Sequence, residues 1–335
     1  MEACIYKRFG KENVLEWVDG WPKPVCKSDS VIVEVAASSI NPKDALLRRG
    51  KFSKTLARDP LPRVTGLDAS GIVVKIGRNV TRIKVGDAVL GMTNNFSGGV
   101  LSTFAEFKEK EVAKVPISIS LVDAASIPLA AQTALQALRD ICGVTQGKKV
   151  LITGVSGGVG HFGVQIAIQL GAEVHGICST GNIDFVSSLG AHRIYDYKKN
   201  EPAAIDNRYD AIFDAAGRYN RKYFSQQLRK SGIFITTVPS GKSLLSELMA
   251  RLKISKKNRL VFVHSSHKDL SQLADWIDSG KLSSHIQKVY EKNEIVEAHT
   301  QIQTGHSRGK IIVVLMSDNT PNNANTADAQ SRAAD

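Results

Sequence analysis

The four cysteines, Cys4, Cys26, Cys142 and Cys178, form no C-x-x-C pair. That absence argues against a zinc knuckle, a thioredoxin-type motif and a disulfide framework, and it fits a reducing compartment. No apolar run approaches the ~18 residues that span a bilayer. The greasiest stretch, residues 121–138, is broken by Asp123, Pro128 and Gln132. The N-terminus carries Glu2, Lys7 and Arg8 where a secretory signal has an apolar core, so the cytoplasm is the expectation. The densest basic cluster, Arg251, Lys253, Lys256, Lys257 and Arg259, has no aromatic interleaved. The stacking platform of a single-stranded nucleic-acid binder is therefore missing.

What is present is an ordinary globular composition, 42% hydrophobic and 23% charged, which fits neither a disordered nor a collagenous chain. At ~150 residues per domain, 335 residues predict two domains. A net charge of +12 favours an anionic partner: a phosphorylated cofactor, a nucleic acid or an anionic lipid surface. Residues 1–120 read as β-rich, with strand-like runs at 31–35 and 71–76 and turns at Gly50, Pro60, Pro62 and Gly66.

From residue 121 an alanine-rich helical stretch through Leu138 leads into alternation. Strands are expected at 149–153, 173–177, 193–195, 209–213 and 232–238, and helices at 162–170, 183–189 and 220–229. This pattern predicts an α/β chain with a doubly wound parallel sheet. A last strand, 309–315, has to pair elsewhere and can return to the first unit. Beyond Met316 the only apolar side chains are alanines, so residues 317–335 are expected to be a disordered tail.

The strongest chemical signal is VLITGVSGGVG at 150–160, where a strand ends and a helix begins. Gly157 lets the backbone approach a pyrophosphate and Gly160 lets the helix pack on the strand. Ser156, Gly157, Gly158, Val159 and Gly160 form the cofactor-binding turn, with free N–H groups as anion donors. The turn departs from G-x-G-x-x-G because Val155 holds the first glycine's place; a turn used only for packing is the competing reading. An NAD site places a carboxylate about 20 residues on, at the end of the second strand. Here the sequence is GICST at 176–180. Ser179 and Thr180 can donate to a 2'-phosphate, with Arg193, Tyr197, Lys198 and Lys199 downstream, so NADPH is favoured. Asp214 closes a strand at the carboxyl edge, where ligands bind in open α/β sheets, and Val238 ends the next with Thr236 and Thr237.

Several segments resemble the medium-chain dehydrogenase/reductase superfamily, and within it the zinc-independent quinone oxidoreductase branch that includes ζ-crystallin and plant chloroplast-envelope relatives. They are SSINPKD at 38–44 with Arg49-Gly50, GLDASG at 66–71, VGDAVLG at 85–91, FAE at 104–106, AASIP at 124–128 with Thr133-Ala134, the glycine turn, and GHSRGK at 305–310. The likeness implies a GroES-like β domain from both chain ends enclosing a Rossmann domain: residues 1–122 and 281–316 around residues 123–280. It implies a cofactor and substrate cleft between them and pairing of strand 260–263 with its copy in a homodimer. Zinc relatives carry Cys where Asn41 stands, G-H-E where Gly66-Leu67-Asp68 stands, and a further cysteine quartet; none of those ligands is present here.

Without a Lewis acid the chemistry left is hydride delivery from NADPH to a carbon activated by conjugation, in a quinone or an α,β-unsaturated carbonyl. The resemblance places Asn41 at the reacting centre and Thr133 near the nicotinamide. Many relatives have a tyrosine where Phe52 stands, so Phe52 is expected to wall the substrate pocket and the proton to come from water or the cofactor ribose. Asp44 is expected to pair with Arg48 one helical turn on. The alternatives are an enoyl thioester reductase, a weakly catalytic NADPH-binding protein and a basic peripheral membrane protein.

Overall fold

The computed structural model describes residues 1–238 and 257–315. The expected tail, and Arg251, Lys253 and Lys256 of the basic cluster, lie outside the described residues. Two large sheets carry the molecule. The first has seven strands and is organised around the long strand β3 (Ser30–Ile40), every residue of which is buried except half-buried Glu34. On one side β3 pairs antiparallel with β5 (Asp68–Ile76). On the other it takes β16 (Lys310–Val314), with Ile311 opposite Ile40. The last described strand has thus come back to the first unit, as its isolation in the sequence predicts. A small sheet of Ala3–Tyr6, Leu15–Val18 and Arg63–Val64 packs nearby.

The second sheet is parallel throughout. Its strand order is β11 (Arg193–Asp196), β10 (Glu173–Cys178), β9 (Lys149–Thr153), β12 (Tyr209–Asp214), β13 (Leu228–Thr236) and β14 (Asn258–Leu260). In β9, Val150, Leu151 and Ile152 are all fully buried, the continuous apolar run of a strand covered on both faces. Helix α4 (Gly158–Gln169) lays Phe162, Val164, Ile166 and Ala167 into that core.

Two expected helices take a different form. The stretch from 121 to 138 splits into α2 (Leu121–Ala124) and α3 (Pro128–Leu135), followed by a π-helical segment, Gln136–Ile141. Pro128 lacks an N–H and opens a new helix instead of extending the old one. No helix forms at 220–229. Residues 221–227 are turns, opened where Asn220 Oδ1 accepts from Tyr223 N–H, and strand β13 begins at Leu228. Sheet pairing with Tyr209 overrides the helical pattern there. Among the described residues no helix is long and apolar enough to cross a membrane.

The two sheets meet at the glycine turn. Gly157 bridges in parallel to Gly309, and Gly309 N–H donates to Ser156 O at 2.8 Å. This ties the start of α4 to the residue before β16 and fixes one wall of the cleft.

Candidate active site

A cleft of about 540 Å³ runs along this junction, lined by the glycine turn on one side and by Ile40, Asn41, Pro42 and Lys310 on the other. Helix α4 begins at Gly158 with Gly157 as its N-cap, and no side chain caps it. The N–H groups of Gly158, Val159 and Gly160 have no intrahelical acceptor, so they are donors for an anion. A Cβ at Gly157 would meet only Gly154 O, at 3.3 Å, so its face is open for a ligand; one at Gly160 would lie 2.1 Å from Gly154 O. The first glycine admits a ligand and the second admits its own strand.

His161 holds the turn in place. Its Nδ1 lies 3.0 Å from Gly157 O and its Nε2 accepts from His285 N–H at 3.3 Å. Burial pushes its pKa down to about 3, so the ring is neutral, with Nδ1 donating.

Opposite the turn lies a buried polar cluster. Asn41 is the N-cap of α1 (Pro42–Arg48), and its amide is fully engaged. Lys310 Nζ donates to its Oδ1 at 2.6 Å, and its Nδ2 donates to Asp68 Oδ1 at 3.0 Å. Asp68 also accepts from Ser39 Oγ at 2.6 Å and Leu129 N–H at 3.1 Å. Burial raises the Asp68 pKa, opposed by Lys310, and burial lowers that of Lys310, opposed by Asp68 and Asp44. The stem of Lys310 also packs beside Gly158, where a Cβ would meet its Cδ at 3.1 Å. One lysine thus links the two walls, its stem beside the turn and its ammonium on Asn41.

The donors here do not fit a zinc ion. A ligand set needs several lone pairs free for the metal, whereas the Asn41 oxygen is taken by an ammonium and the Asp68 oxygens by three donors. Among the described residues no group of three or more His, Cys, Asp or Glu could hold a metal.

Of the residues singled out in the sequence, Asn41, Ser156, Gly157, Gly158, Val159, Gly160, Ser179 and Tyr197 line the cleft. Others do not. Thr133 is buried in α3 with its hydroxyl on Leu129 O, one turn back, and Leu129 and Ala130 line the cleft instead. The Thr180 hydroxyl is committed to Asp196, and Asp214 is buried, accepting from Thr153 Oγ1 and from the N–H groups of Arg218 and Tyr219. Asp214 shapes the loop that places Ala215, Ala216 and Arg218 at the cleft. Val238 is exposed outside it, and Arg193 stacks over Tyr195. Lys198 and Lys199 are not among its lining residues. Phe52 belongs to an apolar cluster that reaches the cleft through Leu129. The expected Asp44–Arg48 pair does not form: Asp44 accepts from Asn41 N–H at 2.8 Å, while Arg48 donates to Gly10 O at 2.7 Å. At the third position of α1 the carboxylate turns back to the helix start, where a free N–H waits.

Three cationic residues that the sequence reading did not single out as site residues also line the cleft. Besides Lys310 these are Arg218 and Arg308. Arg308 donates to Asn182 Oδ1 at 2.8 Å and Gly181 O at 2.7 Å, which holds its guanidinium beside Ser179 and the end of β10. The signal was the GHSRGK segment, whose two cations lie far in sequence from the turn they lie beside.

The family described as "Alcohol dehydrogenase GroES-like domain" matches residues 27–117, and that described as "Zinc-binding dehydrogenase" matches residues 189–313. The chain is 33% identical to a chloroplast envelope quinone oxidoreductase homolog of Arabidopsis thaliana, over 93% of this chain and 98% of the relative. It is 30% identical to an NADPH-dependent alkenal/one oxidoreductase of the same plant, over 93% of this chain and 79% of the relative. The structure of the quinone oxidoreductase from Coxiella burnetii superposes with a TM-score of 0.85 at 29% identity, covering 94% of this chain and 99% of that one. Likeness to these proteins along nearly the whole length, with both family models matched, means that this chain belongs to the quinone oxidoreductase family of medium-chain dehydrogenases/reductases.

Proposed function

We propose that the protein is a zinc-independent, NADPH-dependent oxidoreductase that transfers hydride to a quinone or an α,β-unsaturated carbonyl. The observation that carries this reading is the facing pair in one cleft: an uncapped helix start at Gly157–Gly160 and a fully hydrogen-bonded Asn41 amide, linked by Lys310, whose stem lies beside Gly158 and whose ammonium is on Asn41. When bound, the reduced nicotinamide supplies the hydride. The N–H groups of Gly158, Val159 and Gly160 hold the diphosphate, with Lys310 adding charge. Ser179, Tyr197, Arg218 and Arg308 surround the adenosine end, where positive charge and hydroxyl donors suit a 2'-phosphate. The alkenal/one oxidoreductase, whose name specifies NADPH, supports the same cofactor.

Asn41 orients the reacting groups. Both ends of its amide are pinned, so its position costs no reorganisation when substrate arrives. Leu129, Ala130 and Ile40 give the cleft an apolar wall that excludes water. With Asn41 and Asp68 saturated by protein donors, no electrophilic metal is at hand to polarise a simple ketone, and conjugation in the acceptor supplies the activation instead. The reading includes a homodimer in solution, which light scattering measures.

The test is consumption of NADPH and of NADH over a panel of quinones, enones, aldehydes, simple ketones and enoyl thioesters, with and without a chelator. NADPH oxidation by quinones or enones, unchanged by the chelator, is expected. Activity confined to NADH and a simple ketone, and abolished by the chelator, would overturn both cofactor and mechanism. Preference for thioesters would move the substrate class.

A further inference from the structure

Beside the cleft, the cluster that contains Phe52 holds a cation with no obvious employment. Lys43 is the second residue of α1, where a positive charge opposes the helix dipole, so it is not there to steady the helix. It is half-buried, and its Nζ lies 3.9 Å from the ring centroid of Phe96. Among the described residues it makes no ion pair within 4.0 Å and no hydrogen bond. The adjacent carboxylate of Asp44 is directed instead to Asn41 N–H. Burial pushes the Lys43 pKa down to about 8, against the opposing charge of Asp44. A sheltered ammonium with only a ring face for company keeps much of its desolvation cost uncompensated, and an arriving anion would relieve it.

The surroundings say what kind of anion. Phe96 meets Phe52 edge to face at 5.5 Å, and both pack against the apolar cluster that contains Leu47, Met92 and Leu129. Leu129 lines the cleft as well, so this apolar surface is continuous with the wall beside Asn41. Two aromatic rings favour a flat, conjugated guest. The ammonium over one of them favours a guest with negative charge away from its reacting carbon.

Resting on the proposed reductase reading, we infer that Lys43, Phe96 and Phe52 form a specificity subsite that selects planar quinones or enones bearing a carboxylate. Lys43 acts on substrate choice, not on the hydride step. One ion pair in this sheltered place is worth about tenfold in KM, or ~1.4 kcal/mol.

The experiment compares KM with NADPH for two matched pairs: benzylideneacetone with its para-carboxylate, and phenanthrenequinone with its ring carboxylate. The wild type, Lys43→Gln and Lys43→Arg are measured at low and high salt. Lys43→Gln is expected to raise KM for the carboxylates about ten times more than for the neutral partners. Lys43→Arg is expected to recover most of the difference, and salt to erode the carboxylate preference of the wild type and of Lys43→Arg but to leave Lys43→Gln unchanged. Equal effects of Lys43→Gln on both members of the pairs, or none, would overturn the subsite while leaving the reductase reading standing. Turnover of none of the four compounds by the wild type would overturn both.

Discussion

Lys310 Nζ donates to Asn41 Oδ1 across 2.6 Å, joining two residues 269 positions apart in the chain. Each residue sits at a strand end of the same antiparallel pair, since Ile311 is in register with Ile40. Sheet register therefore sets the distance between them. The bond immobilises the amide that faces the glycine turn, and the lysine stem packs against that turn at Gly158.

Lys310→Met tests this link. Removing a charged donor from a buried acceptor is expected to cost about 2 kcal/mol of stability. A freed amide is expected to lower kcat/KM about a hundredfold, the effect of misplacing a positioning group by roughly an ångström. Denaturant unfolding and steady-state kinetics measure the two separately. A destabilised variant with wild-type kcat/KM would show that Asn41 is not positioned through Lys310.

The two glycines of the turn are expected to fail differently. At Gly160 a Cβ would lie 2.1 Å from Gly154 O and 2.7 Å from Val155 Cα, and backbone atoms in a packed sheet cannot retreat. Gly160→Ala should therefore impair folding itself. At Gly157 the only contact is Gly154 O at 3.3 Å, so Gly157→Ala should fold within about 1 kcal/mol of wild type. Its methyl group would occupy the approach to the diphosphate, and affinity for NADPH should fall at least tenfold. Thermal melts and fluorescence titration read the two effects. Undiminished binding by Gly157→Ala would remove the turn from the cofactor site.

Much of this was legible before any coordinates, for a physical reason. The turn at 150–160 is local: glycines, a strand before and a helix after are all within one supersecondary unit. So is the alternation that predicted the parallel sheet. Lys310 was not legible as a site residue, because a lysine opening a strand reads as solvent-facing, and the charges that oppose its burial, Asp68 and Asp44, come from the far end of the chain. The partners of the Thr133 and Thr180 hydroxyls were not legible for a related reason. A threonine hydroxyl satisfied by Leu129 O or Asp196 looks the same in sequence as one free to meet a ligand. The helix expected at 220–229 failed because sheet pairing of Leu228 with Tyr209 is a tertiary contact that local pattern does not report.

Arg308 offers a test of cofactor preference. Two bonds to the loop after β10 hold its guanidinium at the cleft, beside Ser179. A hydrogen bond to a charged phosphate is worth about 1.5–3 kcal/mol, so Arg308→Met should raise KM for NADPH roughly tenfold to a hundredfold. NADH, lacking the phosphate, should change far less. Parallel losses for both cofactors would instead assign Arg308 to holding the loop at Gly181 and Asn182.

The last prediction concerns acid stability and follows from two buried histidines. His299 is fully buried, and neither ring nitrogen has a hydrogen-bond partner among the described residues. Burial, aided by the nearby Arg48 charge, pushes its pKa down to about 3, as burial does for His161. The unfolded chain takes up a proton on each ring near pH ~6.5, whereas the folded chain refuses it until far lower pH. Their contribution is therefore fully present above about pH 6.5 and is lost as pH falls toward about 3, with a limiting slope of ~1.4 kcal/mol per pH unit for each ring. The raised carboxyls of Asp44 and Asp68 act in the opposite sense, so the wild-type slope alone does not isolate the histidines. The comparison with His299→Met does. That variant should lose stability more slowly than the wild type between about pH 6 and about pH 4, by close to one proton's slope in denaturant unfolding. Identical slopes would mean that His299 is protonated in the folded protein, with Glu12, the nearby acidic charge, as its counter-ion.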